Sequence, residues 1–111
     1  MYITLTGFNN YYKLKPFAIG NIVMCVKEQN NPYDSDAIKA MLPLIGTVAY
    51  VANSVDTVAG GTLSASRVYD KVGDRFFVKV RFTTYTKVIC ETIEGDEKEI
   101  EEQMQAQFSM M

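Results

Sequence analysis

The sequence predicts a mainly β fold, a small antiparallel β-barrel with two short helices and a C-terminal helical tail. Short segments rich in β-branched and aromatic residues recur along the chain, and turn-forming residues separate them. Two capping patterns for short helices occur together between the fourth and fifth of these segments. At 111 residues the chain suits one domain, and a sheet of several short strands in a domain of this size bends strongly enough to close.

Each predicted strand either alternates apolar with polar residues or forms a short apolar run. In residues 76–82 the apolar side chains, ending with Phe82, share one face, and Lys79 and Arg81 lie on the other, solvated face. Gly46 in the fourth segment predicts a bulge or a close approach of two backbones. The predicted strands are residues 2–6, 19–26, 37–41, 45–51, 76–82 and 88–93.

Two short helices are predicted between the fourth and fifth strands. Asn53 or Ser54 can cap the first, which runs through residue 59 and ends at a pair of glycines. Ser64 or Ser66 can cap the second, which ends at a single glycine after residue 72.

The last part of the chain, residues 94–111, forms a separate acidic segment. It carries a net charge of −5, whereas residues 1–93 carry +3. Asp96 and Glu99 have the spacing of a capping box and predict the start of an amphipathic helix. We expect its apolar stripe to pack on the barrel or on a second subunit. The stripe consists of Ile100, Met104, Phe108 and Met111.

Composition excludes several kinds of catalytic and metal site. The chain has no histidine, which excludes Ser-His-Asp and Cys-His catalysis, and its two cysteines cannot complete a four-ligand zinc site. Cys25 and Cys90 lie in apolar stretches, so we expect two buried thiols rather than a disulfide. No phosphate-binding G-x-x-x-x-G-K-[ST] motif and no nucleophile–base pair occur. We therefore expect no enzyme activity, no cofactor and no metal.

The sequence also bears on location. No apolar run approaches the roughly 20 residues needed to cross a bilayer. The first five residues lack the basic start and the apolar stretch of a signal peptide. We expect no membrane contact and a cytoplasmic location.

A turn motif and its surroundings resemble the signature of the HIRAN domain, in its free-standing bacterial form. The motif is Asn31-Pro32-Tyr33-Asp34, followed after two residues by Ala37-Ile38 at the start of a strand. The resemblance covers roughly residues 3–93 and omits the acidic tail. The other matching elements are, in chain order, Gly7, Tyr11-Tyr12, Val26-Lys27-Glu28 and the strand Val48-Ala49-Tyr50-Val51.

The resemblance implies an OB-like or SH3-like barrel and a role in nucleic-acid binding. HIRAN domains attached to fork-remodelling helicases capture the 3′-hydroxyl end of single-stranded DNA. In that family the turn tyrosine stacks on the terminal base and the adjacent aspartate accepts a hydrogen bond from the 3′-hydroxyl, roles that fall on Tyr33 and Asp34. An aromatic residue of the first loop closes the other side of the base. The candidate DNA-binding residues are Asn10, Tyr11, Tyr12, Lys13, Asn31, Tyr33, Asp34, Tyr50 and Asn53.

The sequence departs from the family pattern in its basic residues. Helicase-linked domains carry them beside the loop aromatic and after the strand that matches Val48-Ala49-Tyr50-Val51. At these two places this chain has Asn9-Asn10 and Ala52-Asn53. Phosphate contacts supply most of the affinity for nucleic acids, so weak binding is predicted, with a salt slope of about −1.4 to −2.1 for two or three phosphates. The residues that can replace the missing cations, if they face the same groove, are Lys13, Lys15, Lys79 and Arg81.

Two functions from different classes follow. The first is a module that binds single-stranded DNA at free 3′ ends in DNA repair or replication-fork processing, which the retained Tyr33 and Asp34 favour. The second is a non-catalytic protein-interaction module that keeps the fold but not the ligand, and forms a homo-oligomer through its tail helix. The lost basic residues favour this alternative. In a purely structural interpretation, Asp34 closes its own turn and Tyr33 covers the mouth of the barrel.

Overall fold

The computed structural model describes residues 1–108, and its antiparallel strands close into a barrel in the order β1-β4-β3-β2-β5-β6. Helix α1 (Ala65–Tyr69) lies between β4 and β5, and helix α2 (Glu97–Phe108) follows β6. The predicted mainly β barrel is confirmed, and it is consistent with a small OB-like barrel that carries short helices. The strands are β1 (Tyr2–Thr6), β2 (Ile22–Lys27), β3 (Ile38–Leu42), β4 (Gly46–Val51), β5 (Arg75–Thr83) and β6 (Val88–Ile93).

The interior of the barrel is filled by the inward-facing side chains of the strands. Both thiols are there, free and fully buried, as the apolar surroundings of Cys25 and Cys90 predict. Burial raises the pKa of Cys90 to about 12, and burial together with the neighbouring Cys90 raises the pKa of Cys25 well above its ordinary value. The largest fully buried apolar side chains are Ile3, Leu5, Ile38, Val23, Val48, Val68, Val78, Val80 and Val88.

Three predicted elements differ from those that form, and one of them, the second short helix, ends at Tyr69 rather than at residue 72. The predicted strand 19–26 begins only at Ile22, because Asn21 donates a turn hydrogen bond to Ala18 and leaves Ile19 64% exposed. The first predicted helix, residues 54–59, is a single turn. Its next backbone N–H, that of Ala59, donates to Oγ1 of Thr4 in β1 (3.1 Å) and draws the chain away from a helical path.

The register of β5 also departs from simple alternation. The pairing with β6 shifts between Val80 and Phe82, which places an extra residue in β5 and turns Phe82 outward, 64% exposed. The prediction that Phe82 shares the buried face was therefore wrong. Gly46 begins β4 in a left-handed conformation (φ 80°), whereas the irregular pairing of β3 with β4 lies between Ala40 and Met41.

Helix α2 packs against the barrel that precedes it. Oδ1 of Asp96 accepts a hydrogen bond from the backbone N–H of Lys98 (2.9 Å) at the start of the helix, as the capping pattern predicts. Ile100 and Met104 are buried and belong to the same apolar cluster as the barrel interior. The predicted roles of the Phe108 side chain and of Met111 lie outside the described residues. No helix within residues 1–108 is long and apolar enough to cross a membrane.

The described end of α2 is joined to the start of β2. The side chain of Gln107 accepts from the backbone N–H of Ile22 (2.6 Å) and donates to its carbonyl (2.5 Å). At the other end of the helix, Arg75 of β5 forms an ion pair with Glu97. Helix α2 is thus held to the barrel near both of its ends.

Candidate functional site

The turn between β2 and β3 is built by the side chain of Asn31. Its Oδ1 accepts hydrogen bonds from the backbone N–H groups of Tyr33 (2.8 Å) and Asp34 (3.0 Å), the local bonding that asparagine offers in a turn. Its Nδ2 donates to Oε1 of Glu28 (2.6 Å), at the end of β2. Asn31 therefore orients the turn, which is one of the two roles that the resemblance implies for it.

The carboxylate of Asp34 is held in place from two directions. Oδ1 accepts from the backbone N–H of Asp36 (2.9 Å), and Oδ2 accepts from Nδ2 of Asn53, which follows β4 (3.1 Å). Asp34 thus closes its own turn, as the structural interpretation expects. A carboxylate offers about four lone-pair positions, so these two bonds leave acceptor capacity for a ligand.

Helix α1 completes the bracing of the turn. Oδ1 of Asn53 accepts from the backbone N–H of Ser66 (2.9 Å), and Oγ of Ser66 donates to Oδ2 of Asp36 (2.8 Å). A closed ring of hydrogen bonds therefore joins the turn, the segment after β4 and the first turn of α1. We call Asn31, Asp34, Asp36, Asn53 and Ser66 the braced turn.

Tyr33 contrasts with its neighbour. Its side chain is 95% exposed, whereas Asp34 is half-buried. The interpretation that Tyr33 covers the mouth of the barrel is therefore wrong. The braced turn holds the backbone of Tyr33 while its ring contacts solvent, so both faces of the ring are available for stacking.

A second branch of hydrogen bonds runs from Glu28 to β4. Oε2 of Glu28 accepts from the hydroxyl of Tyr50 in β4 (2.9 Å). Burial raises the pKa of Tyr50 to about 12, and the Glu28 carboxylate and a side-chain hydrogen bond with Tyr11 add to the increase. The phenol of Tyr50 therefore stays protonated, and Tyr11 is the loop aromatic that lies near enough to Tyr50 to affect its pKa.

Three other candidates are not connected in this way. Asn10 ends the 3-10 turn Phe8–Asn10, and Tyr12 and Lys13 follow it, all three exposed. Within residues 1–108 no side-chain hydrogen bond joins any of them to the braced turn.

The cations that could replace the missing basic residues are distributed unevenly. Lys79 is paired with Ile22, at the end of β2 farthest from the turn, and Arg81 forms an ion pair with Glu91 (2.9 Å). Neither lies beside the braced turn, so the expectation that they replace phosphate contacts there was wrong. Lys39 of β3 is directly opposite Tyr50 and is the basic residue that sequence reasoning missed.

Lys27, at the end of β2, is already engaged. Its Nζ donates to the carbonyl of Val72 (2.9 Å) and lies 4.3 Å from the centre of the Tyr69 ring. The network near the turn contains three carboxylates, those of Glu28, Asp34 and Asp36. A nucleic-acid backbone approaching this surface therefore meets more negative than positive charge.

A cleft of about 400 Å³ opens beside the braced turn, and sequence reasoning did not identify it. Asn53, which bonds to Asp34 of the turn, lines the cleft together with Gly60, Gly61 and Arg67 of α1. Its lining includes no acidic side chain. The signal in the sequence was only a Gly-Gly pair near an arginine, which has no specificity without the fold.

The described part of the chain brings together no group of three His, Cys, Asp or Glu side chains that could hold a metal ion. The site therefore consists of hydrogen-bonding groups, an exposed aromatic ring and a cleft of mixed polar and apolar lining. Comparison of the chain with models of known protein families, with curated proteins and with solved structures gave no match.

Proposed function

We propose that this protein binds single-stranded DNA at free 3′-hydroxyl ends, as a non-catalytic module of DNA repair or replication-fork processing in the cytoplasm. The observation that carries the proposal is the pair Tyr33 and Asp34. A 95% exposed aromatic ring stands beside a carboxylate that two hydrogen bonds hold in a fixed orientation. The HIRAN-like turn motif supports the same function.

Tyr33 supplies a stacking surface. A nucleic-acid base stacked on an aromatic side chain contributes about 1–3 kcal/mol, and every base has a π-face, so the contact does not depend on sequence. The ring has no packing role in the barrel, and the turn that carries it is held by Asn31. Little conformational freedom of the backbone is therefore lost when a base stacks there.

Asp34 supplies selectivity for an end. The 3′-hydroxyl of a terminal nucleotide donates a hydrogen bond to the ionised carboxylate, which is an acceptor only. At an internal nucleotide the same position holds a phosphate, which the carboxylate repels. The bonds from Asp36 and Asn53 keep the carboxylate from turning away.

The remaining residues set the affinity. In this proposal Tyr11, near Tyr50, forms the second wall for the base, and Lys39 provides positive charge opposite Tyr50. The carboxylates of Glu28 and Asp36 oppose phosphate binding, so we expect the complex to be weak and to dissociate readily in salt.

The alternative function, oligomerisation through the tail helix, gains no support from α2. Ile100 and Met104 are buried against the protein's own barrel, and Gln107 bonds to Ile22 of the same chain. A partner would have to use a different surface of the helix.

Fluorescence anisotropy with short single strands tests the proposal. Labelled oligonucleotides that end in a 3′-hydroxyl or a 3′-phosphate are titrated at about 20 mM salt, where charge screening is weak. The wild type should prefer the hydroxyl end, and Tyr33→Ala and Asp34→Ala should lose that preference. Tyr85→Ala is the matched control, because Tyr85 is 92% exposed in the turn between β5 and β6. Absence of binding by the wild type at this salt concentration contradicts the proposal.

A further inference from the structure

The cleft beside Asn53 differs in charge from the braced turn. Its lining contains the guanidinium group of Arg67 and no carboxylate, although the neighbouring network contains three. Arg67 is exposed and forms no ion pair with an acidic side chain anywhere in residues 1–108. Its charge is therefore available to an anionic ligand.

The lining of the cleft also includes Gly60 and Gly61, whose backbone N–H groups are potential donors. Within the described chain the N–H groups of Gly60 and Gly61 donate to no protein acceptor. Gly61 has a φ of 85°, and neither glycine presents a side chain to the cleft. Successive backbone N–H groups in a turn form concave sites that bind anionic oxygens, such as those of a phosphate group.

The walls of the cleft are tied to the barrel. Ala59 donates to Oγ1 of Thr4 (3.1 Å), and Leu63 donates to the carbonyl of Tyr2 (2.8 Å), so both ends of the glycine segment are bound to β1. Arg67 projects from α1, whose first turn bonds to Asn53 through Ser66. The cleft therefore does not depend on a ligand to hold its walls in place.

Asn53 connects the cleft to the braced turn. It lines the cleft, and its Nδ2 donates to the carboxylate of Asp34 (3.1 Å). A group bound in the cleft is therefore next to a group bound by Asp34. In a nucleic-acid strand, the charged backbone group next to the terminal 3′-hydroxyl is the phosphate on the 5′ side of the same nucleotide.

We infer that this cleft binds the phosphate on the 5′ side of the terminal nucleotide, with Arg67 as its cationic partner. The inference rests on the proposed function and adds the direction of the DNA strand. Its 3′ end lies at Asp34, and the strand continues in the 5′ direction toward α1. It also gives this chain a phosphate contact where its sequence lacks basic residues beside the first loop and after β4. Arg67 was not identified in the sequence, because it lies in another element.

The salt dependence of binding tests the inference. The affinity for a short oligonucleotide with a 3′-hydroxyl is measured between about 20 and 200 mM salt for the wild type and for Arg67→Gln. One phosphate contact in single-stranded DNA adds about −0.7 to the slope, so the loss of affinity over this range should be about fivefold smaller in the variant. Lys98→Gln is the control, because Lys98 is an exposed lysine of α2 and lies outside the lining of the cleft.

A second oligonucleotide identifies the phosphate concerned. Its last internucleotide linkage is an uncharged methylphosphonate, and its 3′-hydroxyl is intact. The neutral linkage should weaken binding to the wild type and to Lys98→Gln, and should leave binding to Arg67→Gln unchanged. Thermal unfolding followed by circular dichroism should show that the three proteins are equally folded.

The outcomes separate the two proposals. If the wild type prefers the 3′-hydroxyl end but Arg67→Gln keeps the wild-type slope and the wild-type response to the neutral linkage, the cleft assignment is overturned and the proposed function stands. If the wild type binds no strand at about 20 mM salt, where screening is weak, both are overturned.

Discussion

Asn53 donates a hydrogen bond from Nδ2 to Oδ2 of Asp34 across 3.1 Å, between residues 19 positions apart in the chain. This bond joins the turn between β2 and β3 to the segment after β4. The amide of Asn53 thus orients the carboxylate from a different element of the fold.

Replacing Asn53 with alanine should reduce the selectivity of the protein for a 3′-hydroxyl end. Asp34 then loses one of its two fixed donors, and the change in hydrogen bonding is worth about 1 kcal/mol, or about fivefold in the ratio of affinities for the two kinds of end. Anisotropy with 3′-hydroxyl and 3′-phosphate strands measures this ratio. The control is Asn9→Ala, at an exposed asparagine of the first loop. An unchanged ratio for Asn53→Ala contradicts the assigned role of the amide.

Tyr50 should make the stability of the protein depend on pH in the alkaline range. Its pKa is raised to about 12 from an ordinary value of 10, so folding favours the protonated phenol. This contribution is fully present below pH 10 and is lost as the pH rises from 10 toward 12. Urea unfolding at pH 8 and pH 11 should show a larger loss for the wild type than for Tyr50→Phe. Equal losses would contradict a raised pKa of Tyr50 in the folded protein.

Gln107 should stabilise the packing of α2 on the barrel. Gln107→Ala removes both hydrogen bonds to the backbone of Ile22 and leaves a part-buried N–H and carbonyl without them. The expected loss is about 1–3 kcal/mol in the free energy of unfolding, measured in urea. Gln103→Ala, at an exposed position of the same helix, should change it little. A loss of equal size in both variants would indicate only a general effect on the helix.

Lys39 and Lys79, which lie at different ends of the barrel strands, should have different effects on DNA binding. Lys39→Gln should weaken binding, because Lys39 is opposite Tyr50 and close to the network that carries Tyr11. Lys79→Gln should leave binding unchanged, because Lys79 is paired with Ile22 at the far end of β2. Anisotropy at low salt compares the two single-charge losses directly. An equal effect of both would mean that the protein attracts DNA through its overall charge alone.

The strands were predictable where their pattern is local. Residues 2–6 and 88–93 form β1 and β6 as predicted, because alternation with a period of two residues depends only on neighbours in the chain. The errors at Ile19 and Phe82 both lie beside one long-range hydrogen bond. Gly20 donates to the carbonyl of Val80 (2.8 Å), and the bulge in β5 follows directly after Val80. The β-branched Ile19 and the aromatic Phe82 do not indicate, in the sequence alone, that this hydrogen bond forms.

The candidate site also has a part that the sequence predicts and a part that it does not. The bonds from Asn31 to the backbone of Tyr33 and Asp34 span two and three residues, so the motif itself indicates them. The bonds from Asn53 to Asp34 and from Tyr50 to Glu28 span 19 and 22 residues. Many polar side chains could meet at such distances, and only the order of strands in the barrel selects those that do.

By itself, the sequence determined the mainly β class of the fold, the buried thiols, the helical start at Asp96 and the turn that carries Tyr33. These features follow from residue preferences and hydrogen bonds within a few positions. The tertiary structure alone decided that Tyr33 projects into solvent, that Asn53 holds Asp34, and that Arg67 lines a cleft beside them. Closure of the barrel brings these distant segments together, and no local pattern encodes which polar groups then share a surface.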